Sequence, residues 1–289
     1  MSVALPALTT HFATLASAYD VLLCDVWGVV HNGVAATPES CDALVRFRRQ
    51  GGTVVLITNA PRPGDVVKEF IDRLKVPHEA YDGIVSSGDV TRAVVAGRTG
   101  QRVFHLGPER DLPIFEGLNV EIASVERADF VVCSGLFDDT RETPQDYCNL
   151  IDEMRGRGLF MVCANPDIVV ERGDDLVYCA GAIADLYAAA GGDVLYAGKP
   201  YRPIYEQATA RVHAIRGRNV EPGRMLAIGD SVRTDIKGAV AFGIDCLFVT
   251  AGIHAEELGG RDKPNASALG DIFAAAGVYP KAVMRRLAW

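Results

Sequence analysis

Val21, Leu22, Leu23 and Cys24 run without a polar break into Asp25. A continuous apolar run of this length suits a strand buried on both faces of a parallel sheet. The carboxylate falls where that strand should end, and burying it is costly unless a cation or hydrogen-bond donors receive it. Gly28 and Gly33 follow, freeing the backbone to turn sharply and approach a ligand closely. In open α/β sheets ligands sit outside the carboxyl ends of the strands, so Asp25 is placed for chemistry. A single Asp after a single strand also describes an ordinary turn or helix cap; the rest of the chain decides between the two.

The same punctuation recurs. Residues 53–57 are a second β-branched run and end in Thr58 and Asn59; Ile84 and Val85 lead into Ser86, Ser87 and Gly88. Helical spacing over 38–50, 65–74 and 89–96 completes a βαβαβα order, the pattern of a doubly wound α/β sheet. The middle keeps alternating: apolar runs at 103–106, 130–133 and 159–163, helices over 144–157 and 181–190, and an Asn165-Pro166-Asp167 stop. The last third resumes the first pattern. Residues 194–197 run into Gly198-Lys199-Pro200, and 224–228 into Gly229-Asp230-Ser231 with Asp235 just beyond; 246–249 reads as the last core strand. The expected organisation is a core domain of residues 1–99 plus 194–289 carrying an inserted α/β domain of residues 100–193. Hinges are expected near 97–100 and 191–193, where glycines cluster. The tail, 279–289, mixes apolar and basic residues and suits packing on the core or on a second copy.

At 289 residues, 49% of them hydrophobic, the chain can build a sizeable core. A net charge of -8 gives no electrostatic footprint for nucleic acid. No apolar run reaches membrane-spanning length, and MSVALPALTTHFATLASAYD lacks the basic stretch of a secretory leader. The seven cysteines are scattered with no CxxC pair, as buried free thiols in a reducing cytosol would be. The expectation is a cytoplasmic protein with no nucleic-acid or membrane partner, with room for a homodimer.

Four strand ends thus offer polar groups: Asp25, Thr58 with Asn59, Lys199, and Asp230 with Asp235. Together they suit phosphoryl transfer. Carboxylates on different strands can hold Mg²⁺, a hard cation that prefers oxygen ligands, and Asp25 can attack phosphorus and carry the phosphoryl group as an aspartyl-phosphate. The cation, Lys199 and the Thr58 hydroxyl would neutralise charge on the transferring oxygens.

These stretches resemble the four motifs of the haloacid dehalogenase superfamily, in the order and spacing of its subclass IIA, the group of the N-acetylglucosamine-operon and 4-nitrophenyl phosphatases. DVWGV is similar to the first motif, LITNAPR to the second, AGKP to the third and IGDSVRTDIKGA to the fourth. NPD and AGAIADLY resemble segments of that group's large cap. The resemblance implies a Rossmann-like core with an inserted cap, and a phosphohydrolase acting with Mg²⁺ on a small phosphorylated metabolite of the sugar or aryl phosphate class. It implies Asp25 as nucleophile and metal ligand, Asp230 as a second ligand, and the Trp27 backbone carbonyl in the metal shell. Thr58 and Lys199 would bind phosphate, Asn59 would lie beside it, and Asp235 would support Lys199 or the outer metal shell.

One departure matters. The family's phosphatases usually carry a second Asp two residues after the nucleophile, as general acid and base. That position here is Trp27, whose indole N–H cannot serve at neutral pH. General acid–base help is worth about 10²–10⁴-fold, so monoester hydrolysis is expected to be weak unless another group substitutes; His31 is the nearest titratable side chain. The alternative expectation is an impaired relative that binds a phosphorylated ligand for regulation or scaffolding. A dinucleotide site would need a G-x-G-x-x-G turn after the first strand, which is absent. A phospho-receiver domain would be less than half this length. Arg141, Arg172 and Tyr178 are candidate ligand contacts in the inserted segment.

Overall fold

The structure, a computed structural model, describes residues 8–172, 175–260 and 264–289. The leader-free reading of the N-terminus falls partly on residues 1–7, outside the described residues. In chain order the strands are β1 (Val21–Asp25), β2 (Thr53–Thr58), β3 (Gly83–Ser86), β4 (Arg102–Leu106), β5 (Glu121–Ile122), β6 (Phe130–Cys133) and β7 (Phe160–Cys163). There follow β8 (Val169–Arg172), β9 (Asp175–Tyr178), β10 (Val194–Tyr196), β11 (Met225–Gly229), β12 (Asp245–Val249) and β13 (Ala282–Met284). They form a six-stranded sheet of order β13-β12-β11-β1-β2-β3, a five-stranded sheet of order β10-β7-β6-β4-β5 and the ribbon β8-β9. The fold is α/β, with a Rossmann-like parallel sheet and a second parallel sheet.

The described residues divide into two compact units. One comprises Met1–Thr58, Lys68–Val85 and Tyr205–Trp289; the other comprises Asn59–Val67 and Ser86–Ile204.

In the first unit, every residue of β1, β2 and β11 is buried, which is why these strands read as unbroken apolar runs rather than alternating ones. β1 pairs in parallel with β11 on one side and β2 on the other, Cys24 lying opposite Ile228 and Leu56. Chain order therefore runs outward from β1 through β2 to β3, then returns to β11 and runs the other way. The carboxyl ends of β1 and β11 flank the point where that order reverses. In doubly wound sheets a ligand crevice opens at such a point.

Two sequence expectations are corrected. Residues 246–249 are not the last strand: β13 pairs in parallel with β12, Phe248 opposite Val283. Leu287 is fully buried and Trp289 packs edge-on against Phe12, ring centres 6.0 Å apart, so the tail packs on its own core. In addition, β10, read with the last third, pairs with β7 in the second sheet.

The second unit has its own core, in which Leu106, Val131 and Met161 from the sheet meet Met154, Ile183 and Tyr187 from the helices Cys148–Gly156 and Ala180–Ala189. All seven cysteines are free, six of them buried. Among the described residues no helix is long and apolar enough to cross a membrane.

Candidate active site

In the first unit, Asp25 closes β1 and Asp230 follows β11 directly, each only 6% exposed. Asp235 lies in the wide, π-helical turn Val232–Ile236 and is likewise buried. One carboxylate oxygen from each of Asp25, Asp230 and Asp235 can be chosen so that all three lie within 4.8 Å of one another. Ionised carboxylates this close repel, and a divalent cation offsets that repulsion.

Glycines shape the pocket around Asp230. A Cβ on Gly28 would lie 2.0 Å from its Oδ2, and one on Gly252 would lie 1.9 Å away. The Ile253 N–H donates to the same Oδ2 at 2.8 Å. Gly229 gives Asp235 equivalent room, since a Cβ there would meet its Cγ at 2.0 Å. The Ser231 N–H donates to Asp235 Oδ2 at 3.1 Å. The donor set is all oxygen and backbone amides hold Asp230 and Asp235, so the site fits Mg²⁺. Gly252 and the Ile253 amide were not singled out in the sequence; the only signal was that Thr250-Ala251-Gly252 is another strand end with small residues.

Thr58 is the last residue of β2 and is buried. Trp27 stands in the loop after Asp25. Its ring lies parallel to Phe70, centres 6.3 Å apart, and meets His31 edge-on at 5.0 Å. A Cβ on Gly33 would touch the indole at 2.6 Å. His31 is 2% exposed, its Nδ1 accepts the Gly33 N–H at 2.9 Å, and burial lowers its pKa to about 4. Burial thus favours the uncharged ring, which sits in an aromatic cluster with Trp27 and Phe70.

In the second unit, Asn59 and Lys199 are also buried and are tied together. The Lys199 N–H donates to Asn59 Oδ1 at 2.7 Å. Asn59 Nδ2 donates to the Lys199 carbonyl at 3.1 Å and to Asp167 Oδ1 at 2.9 Å. Gly198 is needed here, because a Cβ would stand 2.3 Å from Asn59 Oδ1. Arg172 pairs with Asp139 at 2.7 Å, and Arg110 shares that carboxylate, which the Arg172 hydrogen bond holds below its ordinary pKa. Arg141 stands 3.8 Å from Asp138 and is largely exposed; Tyr178 is half-exposed on β9.

The family described as haloacid dehalogenase-like hydrolase matches residues 22–121, and the one described as HAD-hydrolase-like matches residues 196–281. A crystal structure of a haloacid dehalogenase-like family hydrolase from Brucella suis is 45% identical, covers 97% of this chain and 100% of that one, and has a TM-score of 0.87. The D-glycerol 3-phosphate phosphatase of Mycobacterium tuberculosis is 29% identical over 256 residues, covering 84% of this chain and 66% of that protein. The chain thus spans about two thirds of that relative's length. A glycerol phosphate phosphatase from the same organism, crystallised in complex with magnesium, has a TM-score of 0.63 at 28% identity, over 82% of this chain and 70% of that one.

Proposed function

The chain belongs to subclass IIA of the haloacid dehalogenase superfamily, and we propose on that premise that it is a Mg²⁺-dependent phosphatase of small phosphorylated metabolites. The observation that carries this reading is the trio of buried carboxylates Asp25, Asp230 and Asp235 at the reversal point of the first sheet. Asp25 and Asp230, with the Trp27 carbonyl, are the proposed metal ligands, and Asp235 is proposed to support the outer metal shell or Lys199. When bound, Mg²⁺ neutralises charge on the transferring oxygens.

An Asp25 oxygen attacks phosphorus, the bond from phosphorus to the leaving oxygen breaks, and an aspartyl-phosphate forms. Water then attacks that phosphorus, releasing inorganic phosphate and restoring the carboxylate. Thr58 and Lys199 are the proposed phosphate-binding residues, Lys199 on the resemblance of its AGKP stretch to the third motif. The proposed cap is the unit built on the second sheet. The pairing of β10 with β7 supports a second cap boundary beyond Tyr196 rather than at 193.

Trp27 sets the substrate preference. With an indole in place of the second Asp, nothing at that position protonates the leaving oxygen, so a leaving group stable as an anion is favoured over a sugar alkoxide. The test is a panel of phosphorylated metabolites with Mg²⁺. An aryl or acyl phosphate is expected to be cleaved faster than a sugar phosphate, with Asp25→Asn abolishing both. Trp27→Asp should raise the sugar-phosphate rate by up to about 10²-fold. Equal wild-type rates on both classes would mean another acid supplies the proton. Trp27 in place of the second Asp motivates a second reading, a regulatory protein that binds a phosphorylated ligand without turnover; binding intact with every substrate inert would select it.

A further inference from the structure

Asn59 carries the LITNAPR stretch and was expected beside the phosphate. Its side chain has a different occupation. An Asn amide offers two N–H donors and one carbonyl oxygen. Both donors are directed, one to the Lys199 carbonyl and one to the Asp167 carboxylate, while the oxygen receives the Lys199 N–H. The amide thus grips the N–H and C=O of a single residue, as a neighbouring strand would. Asp167 fixes its sense: turned over, the oxygen would face the Lys199 carbonyl and the carboxylate, and the NH₂ would face the Lys199 N–H. Asn59 and Lys199 are buried, 4% and 3% exposed, and Asp167 is half-buried. Gly198 lacks the Cβ that would push it apart.

We infer that Asn59 is a positioning residue rather than a phosphate ligand, and that Asp167, by orienting the Asn59 amide, sets the place of the Lys199 peptide and so of its ammonium group. This rests on the reading of Lys199 as a phosphate-binding residue. A main-chain residue after a glycine has several orientations open to it, and two hydrogen bonds to its own peptide select one. The Asp167 carboxylate comes from the Asn165-Pro166-Asp167 stop after β7, so two loops of this unit converge on the peptide of one lysine.

A double-mutant cycle tests it, because residues that act through one another are non-additive and independent ones add. Binding of inorganic phosphate in the presence of Mg²⁺ is measured by calorimetry for the wild type, Asn59→Ala, Lys199→Ala and the double variant. Lys199→Ala should weaken binding, Asn59→Ala should weaken it by about tenfold, the loss of an oriented buried hydrogen-bond set, and the double variant should match Lys199→Ala alone. Should Asn59→Ala prove unstable to heat, Asp167→Ala replaces it in the same cycle with the same pattern expected. Asp167→Asn keeps an oxygen to accept from Asn59 and should bind phosphate within about twofold of wild type. An equal loss from Asn59→Ala with and without Lys199 would show direct contact with phosphate and overturn the inference. No loss in either background would overturn it as well. A Lys199→Ala protein that binds phosphate as wild type does would instead remove the role of Lys199, and the inference with it.

Discussion

Gly252 has no backbone conformation that only glycine adopts, yet a Cβ there would sit 1.9 Å from Asp230 Oδ2. Its reason for being glycine is therefore the carboxylate. Gly28 carries both constraints, with φ at 85° and a Cβ position 2.0 Å from the same oxygen. Gly252→Ala is expected to displace Asp230 and weaken Mg²⁺ affinity by about tenfold in calorimetric titration, while overpacking costs about 1–3 kcal/mol. Gly28→Ala should lose about 1 kcal/mol more, from left-handed strain. Unchanged Mg²⁺ affinity in Gly252→Ala would separate Asp230 from the metal.

His105 gives a pH prediction of the same kind. Its Nε2 lies 2.8 Å from Ser134 Oγ, and burial lowers its pKa to about 4. The unfolded ring takes its proton near pH 6.5, so between about 6.5 and 4 the unfolded chain binds more protons. Stability is then expected to fall as pH drops through that window, by at most about 3 kcal/mol from this residue, and to be unaffected above it. His105→Gln should lessen the loss in urea unfolding at successive pH values. A slope identical to wild type would mean the ring is not held neutral.

The helix Ser87–Ala96 begins with a reciprocal cap: Ser86 Oγ accepts the Asp89 N–H at 2.9 Å, and Asp89 Oδ2 accepts the Ser86 N–H at 2.9 Å. Asp89 Oδ1 also accepts the N–H of Gly64, first residue of helix Gly64–Arg73, at 3.0 Å. One carboxylate therefore serves two helix starts. Ser86→Ala should cost about 1 kcal/mol, and Asp89→Ala more, about 2, since it also leaves the Gly64 N–H without that acceptor; thermal melts of both rank them. Equal costs would show the Gly64 bond contributes nothing. Elements like these also explain what the sequence disclosed. β1, β2 and β11 were legible because burial on both faces demands unbroken apolar runs, and Asp25 and Asp230 because each stops such a run. β13 was not, because Ala282–Met284 is three residues long and carries no pattern of its own. The ribbon β8-β9 was missed for a related reason, with Asp175, Leu176 and Tyr178 all exposed. β10 read as part of the last third because pairing partners far along the chain leave no trace in local periodicity. The orientation of the Asn59 amide was beyond reach for the same cause, being set by Asp167 and Lys199.

Two sheets, each with helices and a core of its own, imply two cooperative units in one chain. Scanning calorimetry should then give a calorimetric enthalpy above the van't Hoff value. Ile183→Ala, in the core of the second unit, should lower one transition by about 2–5 kcal/mol and spare the other; a single transition with matching enthalpies would refute this. The order of strands in the first sheet has a consequence for biosynthesis. β1 and β2 leave the ribosome early, but β11, the other neighbour of β1, follows only after the entire segment Ser86–Ile204. Pairing across so long an excursion is entropically expensive and late. Asp25 and Asp230 thus meet as one of the last events of folding. A nascent chain displays the proposed nucleophile without its partner carboxylate, and the proposed metal site is assembled only once the sheet has closed.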